Sequence, residues 1–382
     1  MTPALADRVR SRLVLQQSEA TPARVAAALR AEGLVLGDDA VLDLVRTLRH
    51  ELTGAGPLEP VLREQEVTDV IVNGPGDVWV DRGRGLERAD VRFGSEDDVR
   101  RLAQRLAASA GRRLDEACPF VDARLAGGAR LHCVLPPVAV NGTLISIRVP
   151  RRRAFSLDDL IARDTMDEAT AGWLTAIIRG RLAFLVCGGT GSGKTTILST
   201  MLGLVPEAER LVVVEDSTEL TPRHPHVVSL QARTSNVEGS GAVTLRDLVR
   251  QALRMRPDRI VVGEVRGAEV VELLASMNTG HEGGCGTIHA NSAADVPARL
   301  EALGLMAGLD RLAVHALVAA GIDAVIHLHR GRDSVRRVTG IHVMQRDGSG
   351  IVRSVPALLL VDGVMTEAEG STRLRQRIDV PL

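Results

Sequence analysis

The stretch from Arg181 to Leu198, Arg-Leu-Ala-Phe-Leu-Val-Cys-Gly-Gly-Thr-Gly-Ser-Gly-Lys-Thr-Thr-Ile-Leu, constrains this chain more than any other. It reads as an apolar strand, a turn containing four glycines and the start of a helix. Gly188-x4-Gly193-Lys194-Thr195 fits the phosphate-binding loop pattern in the strand–loop–helix context that the pattern requires. The backbone of Gly188, Gly189, Thr190, Gly191, Ser192 and Gly193 can curl so that its N–H groups point inward, and the helix that follows adds its positive end. Lys194 then reaches the β- and γ-phosphates of a nucleotide, the Thr195 hydroxyl ligates Mg²⁺, and Thr196 completes the cradle. The chain carries 47 Lys plus Arg, and Lys194 is the sole lysine among them. A chain that otherwise uses arginine places a slim, flexible point charge where a phosphate pocket is crowded.

With 382 residues the chain has room for two or three domains with sizeable cores. Residues 1–50 alternate helix-like segments with short breaks and form a small helical cap or a docking module. From residue 51 the texture changes to short strands with Gly, Pro and Asp turns, and a helix capped by Ser95, which together predict an α+β domain over 51–149. Pro150-Arg-Arg-Arg opens a linker over 150–165, in which Ser156 caps a new helix. From 166 to 345 helix and strand alternate, which implies a parallel sheet covered on both faces, and 346–382 reads as a tail. The fold class expected is therefore α/β, a C-terminal phosphate-loop domain preceded by a smaller α+β domain. Four cysteines lie far apart with no C-x-x-C pair, which argues for reduced cytosolic thiols and against a disulfide scaffold or a four-cysteine zinc site. No apolar run approaches about 18 residues, so contact with a membrane needs a partner. The net charge of −1 makes no case for stable nucleic-acid binding.

Two further strands end in carboxylates. Leu211–Val214 delivers Glu215 and Asp216, which position Mg²⁺ or a water, or else cap a turn. Ile260–Val262 leads through Gly263 to Glu264, suited to orient or deprotonate an attacking water. His281 and His289 stand at either end of a glycine-rich strand, His289 placed to sense a γ-phosphate. Arg246, Arg250 and Arg254, four apart, share one helix face that is solvated, ion-paired, or aimed at a neighbouring subunit's nucleotide. In the α+β domain Arg124, Arg130 and Arg148 lie on or beside strands. Arg130 and Arg148 foremost are candidates to stabilise charge on a transferring phosphoryl group, or else all three pair with local Asp and Glu on the domain surface.

These boxes together resemble the ATPase superfamily of type II and type IV secretion and pilus machines. The closest likeness is to its tight-adherence (Flp pilus, CpaF/TadA-type) and conjugation-associated branch. Gly188–Thr196 is similar to its Walker A loop, Val214–Glu219 to its acidic box, Arg254–Gly267 to its atypical Walker B, and Gly280–Asn291 to its histidine box. Gly56-Pro-Leu58, Val72-Asn73-Gly74, Val121–Arg124, Gly128–Arg130, Pro136-Pro137 and Ile147-Arg148 are similar to its N-terminal domain. The resemblance implies a RecA-like core and a homohexameric ring that hydrolyses ATP with Mg²⁺ to drive pilin or substrate movement. It also implies a cytoplasmic protein held at the inner membrane through a platform protein. The zinc-binding tetracysteine element of the pilus-extension members is absent, which fits the branch. Competing readings are a conjugal-transfer ATPase, a nucleotide-gated scaffold with little turnover, and, less favoured, a DNA motor.

Overall fold

Apolar and polar residues alternate through most of the strand segments between residues 69 and 148, and in the computed structural model they form one antiparallel sheet. The structure describes residues 22–31, 54–64, 66–83, 85–149, 154–233, 241–278, 280 and 282–378. The chain divides into two compact units, Met1–Arg151 and Arg152–Leu382. Of the helical segment expected over 1–50, only the helix Pro22–Ala31 falls among the described residues. The Pro150–Arg153 run of the expected linker lies outside them, as do Thr279 and His281.

In the first unit the strands are β1 (Asp69–Gly74), β2 (Asp77–Asp81), β3 (Leu86–Arg88), β4 (Phe120–Arg124), β5 (Arg130–Val134) and β6 (Leu144–Arg148). They run in the order β3-β2-β1-β6-β5-β4. The helix Glu96–Ser109 starts where Ser95 accepts from the Asp98 amide, as its sequence predicts. It turns Val99, Leu102, Ala103, Leu106 and Ala107 inward, onto the core that Val70, Val72, Leu131, Ile145 and Ile147 supply from the strands.

The second unit holds β7 (Phe184–Gly188), β8 (Leu211–Glu215), β9 (Val227–Gln231), β10 (Arg259–Val265), β11 (Cys285–His289), β12 (Ala324–Arg330), β13 (Arg336–Arg346), β14 (Val352–Val361) and β15 (Val364–Glu367). The sheet order is β15-β14-β13-β12-β7-β11-β10-β8-β9. From β9 to β12 every neighbour is parallel, as expected. From β12 to β15 the pairing is antiparallel, so the sheet is mixed. Strand β7 has every residue buried because both of its faces are covered. Phe184 and Val186 join one core with Ile177 and Leu198, whereas Leu185 and Cys187 join the other with Val249 and Leu273.

Two sequence expectations change here. Where a tail is expected over 346–382, β14 and β15 extend the sheet, and the helix Ser371–Arg377 brings Leu374 into the core. Pro356, which lacks an N–H, sits where the β13–β14 register shifts, a position that tolerates its absence. Within the expected linker, Ser156 and Asp159 form a capping box for the helix Leu157–Ile161, and Leu160 belongs to the core of the second unit.

Candidate functional site

Four neighbouring parallel strands, β8, β10, β11 and β7, end together at one edge of the sheet. Carboxyl ends of parallel strands are where open α/β sheets bind ligands. Glu215 closes β8, Glu264 lies near the end of β10, His289 closes β11, and Gly188 closes β7 opposite His289.

Gly188 permits a close approach. A Cβ there would run into the backbone oxygen of Leu328 and lie 2.6 Å from Ser192 Oγ. Gly191 and Gly193 have φ of 70° and 98°, which lets the loop curl ahead of the helix Lys194–Leu202. Lys194 is buried, and its Nζ donates to Gly188 O (3.0 Å) and Gly189 O (2.9 Å). Burial pushes its ammonium below the ordinary range, and the charge of Glu264 opposes that shift. A cation buried among backbone oxygens at the mouth of a glycine loop has the charge and setting that an anion would need.

His289 Nδ1 lies 3.4 Å from Lys194 Nζ, and Nε2 lies 2.8 Å from Glu264 Oε1. The second of these is a close approach rather than an aligned hydrogen bond, since Oε1 accepts no well-directed N–H. Burial and the Lys194 charge lower the basicity of His289, and Glu264 partly restores it. The other oxygen of Glu264 pairs with Arg266. Glu264, His289 and Lys194 are thus brought together.

Glu215 is buried and differently engaged. Its Oε1 accepts from the amides of Glu219 (2.9 Å) and Leu220 (3.0 Å), and so shapes the acidic loop. Gly263 makes room for it, because a Cβ there would sit 2.5 Å from Glu215 Cγ. Gly263 O in turn accepts from Thr287 Oγ1 at 2.6 Å.

The two ends of the histidine box separate. His289 is at the ligand edge, whereas Glu282, which precedes β11, approaches Arg181 at the opposite edge. Five strand residues span about 16 Å, so one end alone reaches the loop. Of the arginine row, Arg246 and Arg250 both bind Glu272 Oε1 at 2.8 Å, and Arg254 is exposed. Arg124, Arg130 and Arg148 belong to the first unit, where Arg124 faces Arg130 across β4–β5 and Arg130 faces Arg148 across β5–β6. Like charges placed directly opposite oppose pairing, and Asp122 on β4 offsets part of that by approaching Arg130 at 3.8 Å.

A cleft of about 420 Å³ opens between Gly189, Thr190, His289, Ala290 and Asn291 and the side chains of Asp295 and Arg299. Asp295 and Arg299 escaped the sequence reading because they follow the last box and carry no motif spacing. Among the described residues no cluster of three His, Cys, Asp or Glu is arranged to hold a metal. No described helix is long and apolar enough to cross a membrane. All four cysteines are free, and burial pushes the thiols of Cys133, Cys187 and Cys285 up to about 12.

The profile of a family described as Type II/IV secretion system protein matches residues 51–356. A protein of Mycobacterium tuberculosis (strain H37Rv) named for conjugal transfer is 57% identical over 327 residues, which are 84% of this chain and 93% of the relative. Type IV secretion system protein PtlH of Bordetella pertussis is 34% identical over 321 residues, 76% of this chain and 94% of the relative. The crystal structure of the pilus retraction motor PilT with bound ADP covers 83% of this chain and 84% of its own. Its TM-score is 0.52 at 20% identity, a likeness of fold.

Proposed function

Because this chain belongs to the Type II/IV secretion system protein family, we propose that it is an ATPase that powers such a machine. The observation that carries the reading is the buried Lys194 ammonium, held by two loop carbonyls beside the Glu264–His289 pair. In this reading the loop Gly188–Gly193 and Lys194 bind the β- and γ-phosphates, and Thr195 is the side chain for Mg²⁺. The ion, when bound, neutralises phosphate charge. The loop fits such a ligand: its glycines leave the backbone free to curl, and Lys194 sets a buried cation beside it.

Glu264 orients the attacking water and takes up its proton, a role its longer arm suits. His289 and Arg266 hold that carboxylate in place. Glu215 is assigned to shaping the acidic loop through Oε1, which accepts from that loop's amides, with Oε2 left as a second candidate group for the ion. Arg130 and Arg148 are assigned to γ-phosphoryl charge in this or a neighbouring copy, a reading supported by their place on neighbouring strands, although Arg130 also approaches Asp122 at 3.8 Å. The working unit in this proposal is a ring of six copies, held to the inner membrane by a platform protein. It drives Flp/Tad-type pilus assembly or type II/IV-like secretion. The relative named for conjugal transfer supports export in conjugation as the second reading.

The test is Lys194→Ala. Phosphate release with Mg²⁺ and ATP should vanish and ATP affinity should fall, because the phosphate charge loses its fixed counter-charge. Near-normal turnover in this variant would overturn the assignment.

A further inference from the structure

A phosphate loop places its N–H groups inward only if its carbonyls point elsewhere and find donors there. Lys194 takes the oxygens of Gly188 and Gly189. The oxygen of Gly191 is taken from outside every motif, by Arg336 at the start of β13, whose Nε donates to it at 2.8 Å. The aliphatic stem of the same side chain covers Gly193, with Cδ 3.2 Å from where a Cβ would stand. From the end of β12, Arg330 reaches to 3.9 Å of the Cβ position of Gly191.

The mount of Arg336 is stiff. The turn before it is closed by Gly331 N to Val335 O (2.9 Å), Ser334 N to Gly331 O (3.0 Å) and the Asp333–Arg337 ion pair. Val338, two residues on, donates to Thr165 O at 2.9 Å. The stem of this hairpin also reaches the far wall of the cleft, where His327 Nε2 lies 3.1 Å from Asn291 O and Nδ1 lies 2.7 Å from Thr339 Oγ1.

We infer that the β12–β13 hairpin latches the phosphate loop, with Arg336 as a positioning residue for nucleotide binding. The inference deepens the proposed ATPase reading and rests on it. The peptide between Gly191 and Ser192 is planar, so a donor that holds its oxygen outward holds the Ser192 N–H inward. That N–H makes only a long bond, 3.4 Å, to Gly189 O, and is the group a phosphate oxygen would capture. Without the latch this peptide is free to rotate, and binding must first select the competent orientation.

The experiment is an equilibrium titration of the full chain with fluorescent N-methylanthraniloyl-ADP, alongside steady-state kinetics with ATP. Arg336→Ala should raise the Kd and KM together by about tenfold to a hundredfold, the range for losing a hydrogen bond to a charged donor. It should change kcat by less than about threefold, since the interaction is the same before and during the reaction. Arg336→Lys, which keeps the stem over Gly193 and a cationic donor, should recover part of that loss, with a melting temperature equal to wild type. It also carries the test alone if the alanine variant does not fold. Unchanged ADP affinity in Arg336→Ala, while Lys194→Ala loses it, would overturn the latch and leave the nucleotide site standing. Affinity retained in both variants would instead overturn the phosphate-loop reading beneath it. A lysine variant that restores melting but none of the affinity would make Arg336 a structural brace only.

Discussion

Glu215 and Glu264 reach the same sheet edge on adjacent strands, yet their surroundings assign them different work. Glu264 faces His289 and Arg266, whereas Glu215 faces the amides of its own loop. Glu264→Gln should therefore keep nucleotide binding and cut hydrolysis by about 10²-fold or more, measured as phosphate release, because shape is kept and the proton acceptor is lost. Glu215→Gln still offers an oxygen to Glu219 and Leu220 and should turn over far better. Glu215→Ala should lower stability by about 1–3 kcal/mol in denaturant titration, as two buried amides lose their acceptor. A Glu215→Gln variant more damaged in turnover than Glu264→Gln would reverse the two roles. Both carboxylates were legible in the sequence as strand-end acids. Which of them is spent on backbone was not, since Oε1 of Glu215 meets amides four and five residues ahead only after the loop folds back.

At the scale of elements, the apolar runs identified the buried strands, because a strand covered on both faces needs no alternation. Strand β9 escaped: it is an edge strand, half-exposed, whose polar positions resemble a loop. Arg246 and Arg250 share one face of the helix Leu245–Ala252, where Glu272 of the facing helix pairs with both, whereas Arg254 lies beyond that helix's end, against the expectation of a three-arginine face. One tight joint between elements lies between β7 and β12, which pair in parallel with Gly188 beside Leu328. Gly188→Ala would press a methyl group against a backbone oxygen that cannot rotate away. The expected result is destabilisation by about 1–3 kcal/mol or more, read from the urea midpoint, with ATP affinity falling as the loop is displaced.

For the whole molecule, the ring proposed here predicts that a non-hydrolysable ATP analogue promotes a species near six protomers in sedimentation velocity. A strict monomer at every concentration would count against the motor reading. Stability should also depend on pH through His342, whose imidazole burial, helped by the charge of His327, lowers to about 4 from an ordinary 6.5. Above about pH 6.5 neither the folded nor the unfolded form carries that proton. As pH falls from about 6.5 towards about 4 the unfolded chain takes it up and the folded one resists, so stability drops across that window. Allowing for partial solvent screening, the loss is about 1–3 kcal/mol. It should show as a lower urea midpoint at pH 5 than at pH 7, and His342→Asn should flatten the difference.

The glycine loop, the sole lysine and the strand-end acids are local in the chain, so the sequence alone determined the phosphate-loop unit, the α/β class and three of the groups that meet at its edge. Their spacing is set by a strand, a turn and a helix contiguous in the chain, and short-range geometry suffices to read it. Arg336, Arg299 and Arg330 are different. Arg336 is separated from Gly191 by 145 positions, and its contact exists only because the antiparallel half of the sheet brings β13 back beside β12 and β7. The same half absorbed the segment expected to be a tail, since β14 finds its partner across a register shift that accommodates Pro356. Hydrogen-bonded register between distant strands is a tertiary choice, made by which apolar faces bury together, and no window of sequence contains it.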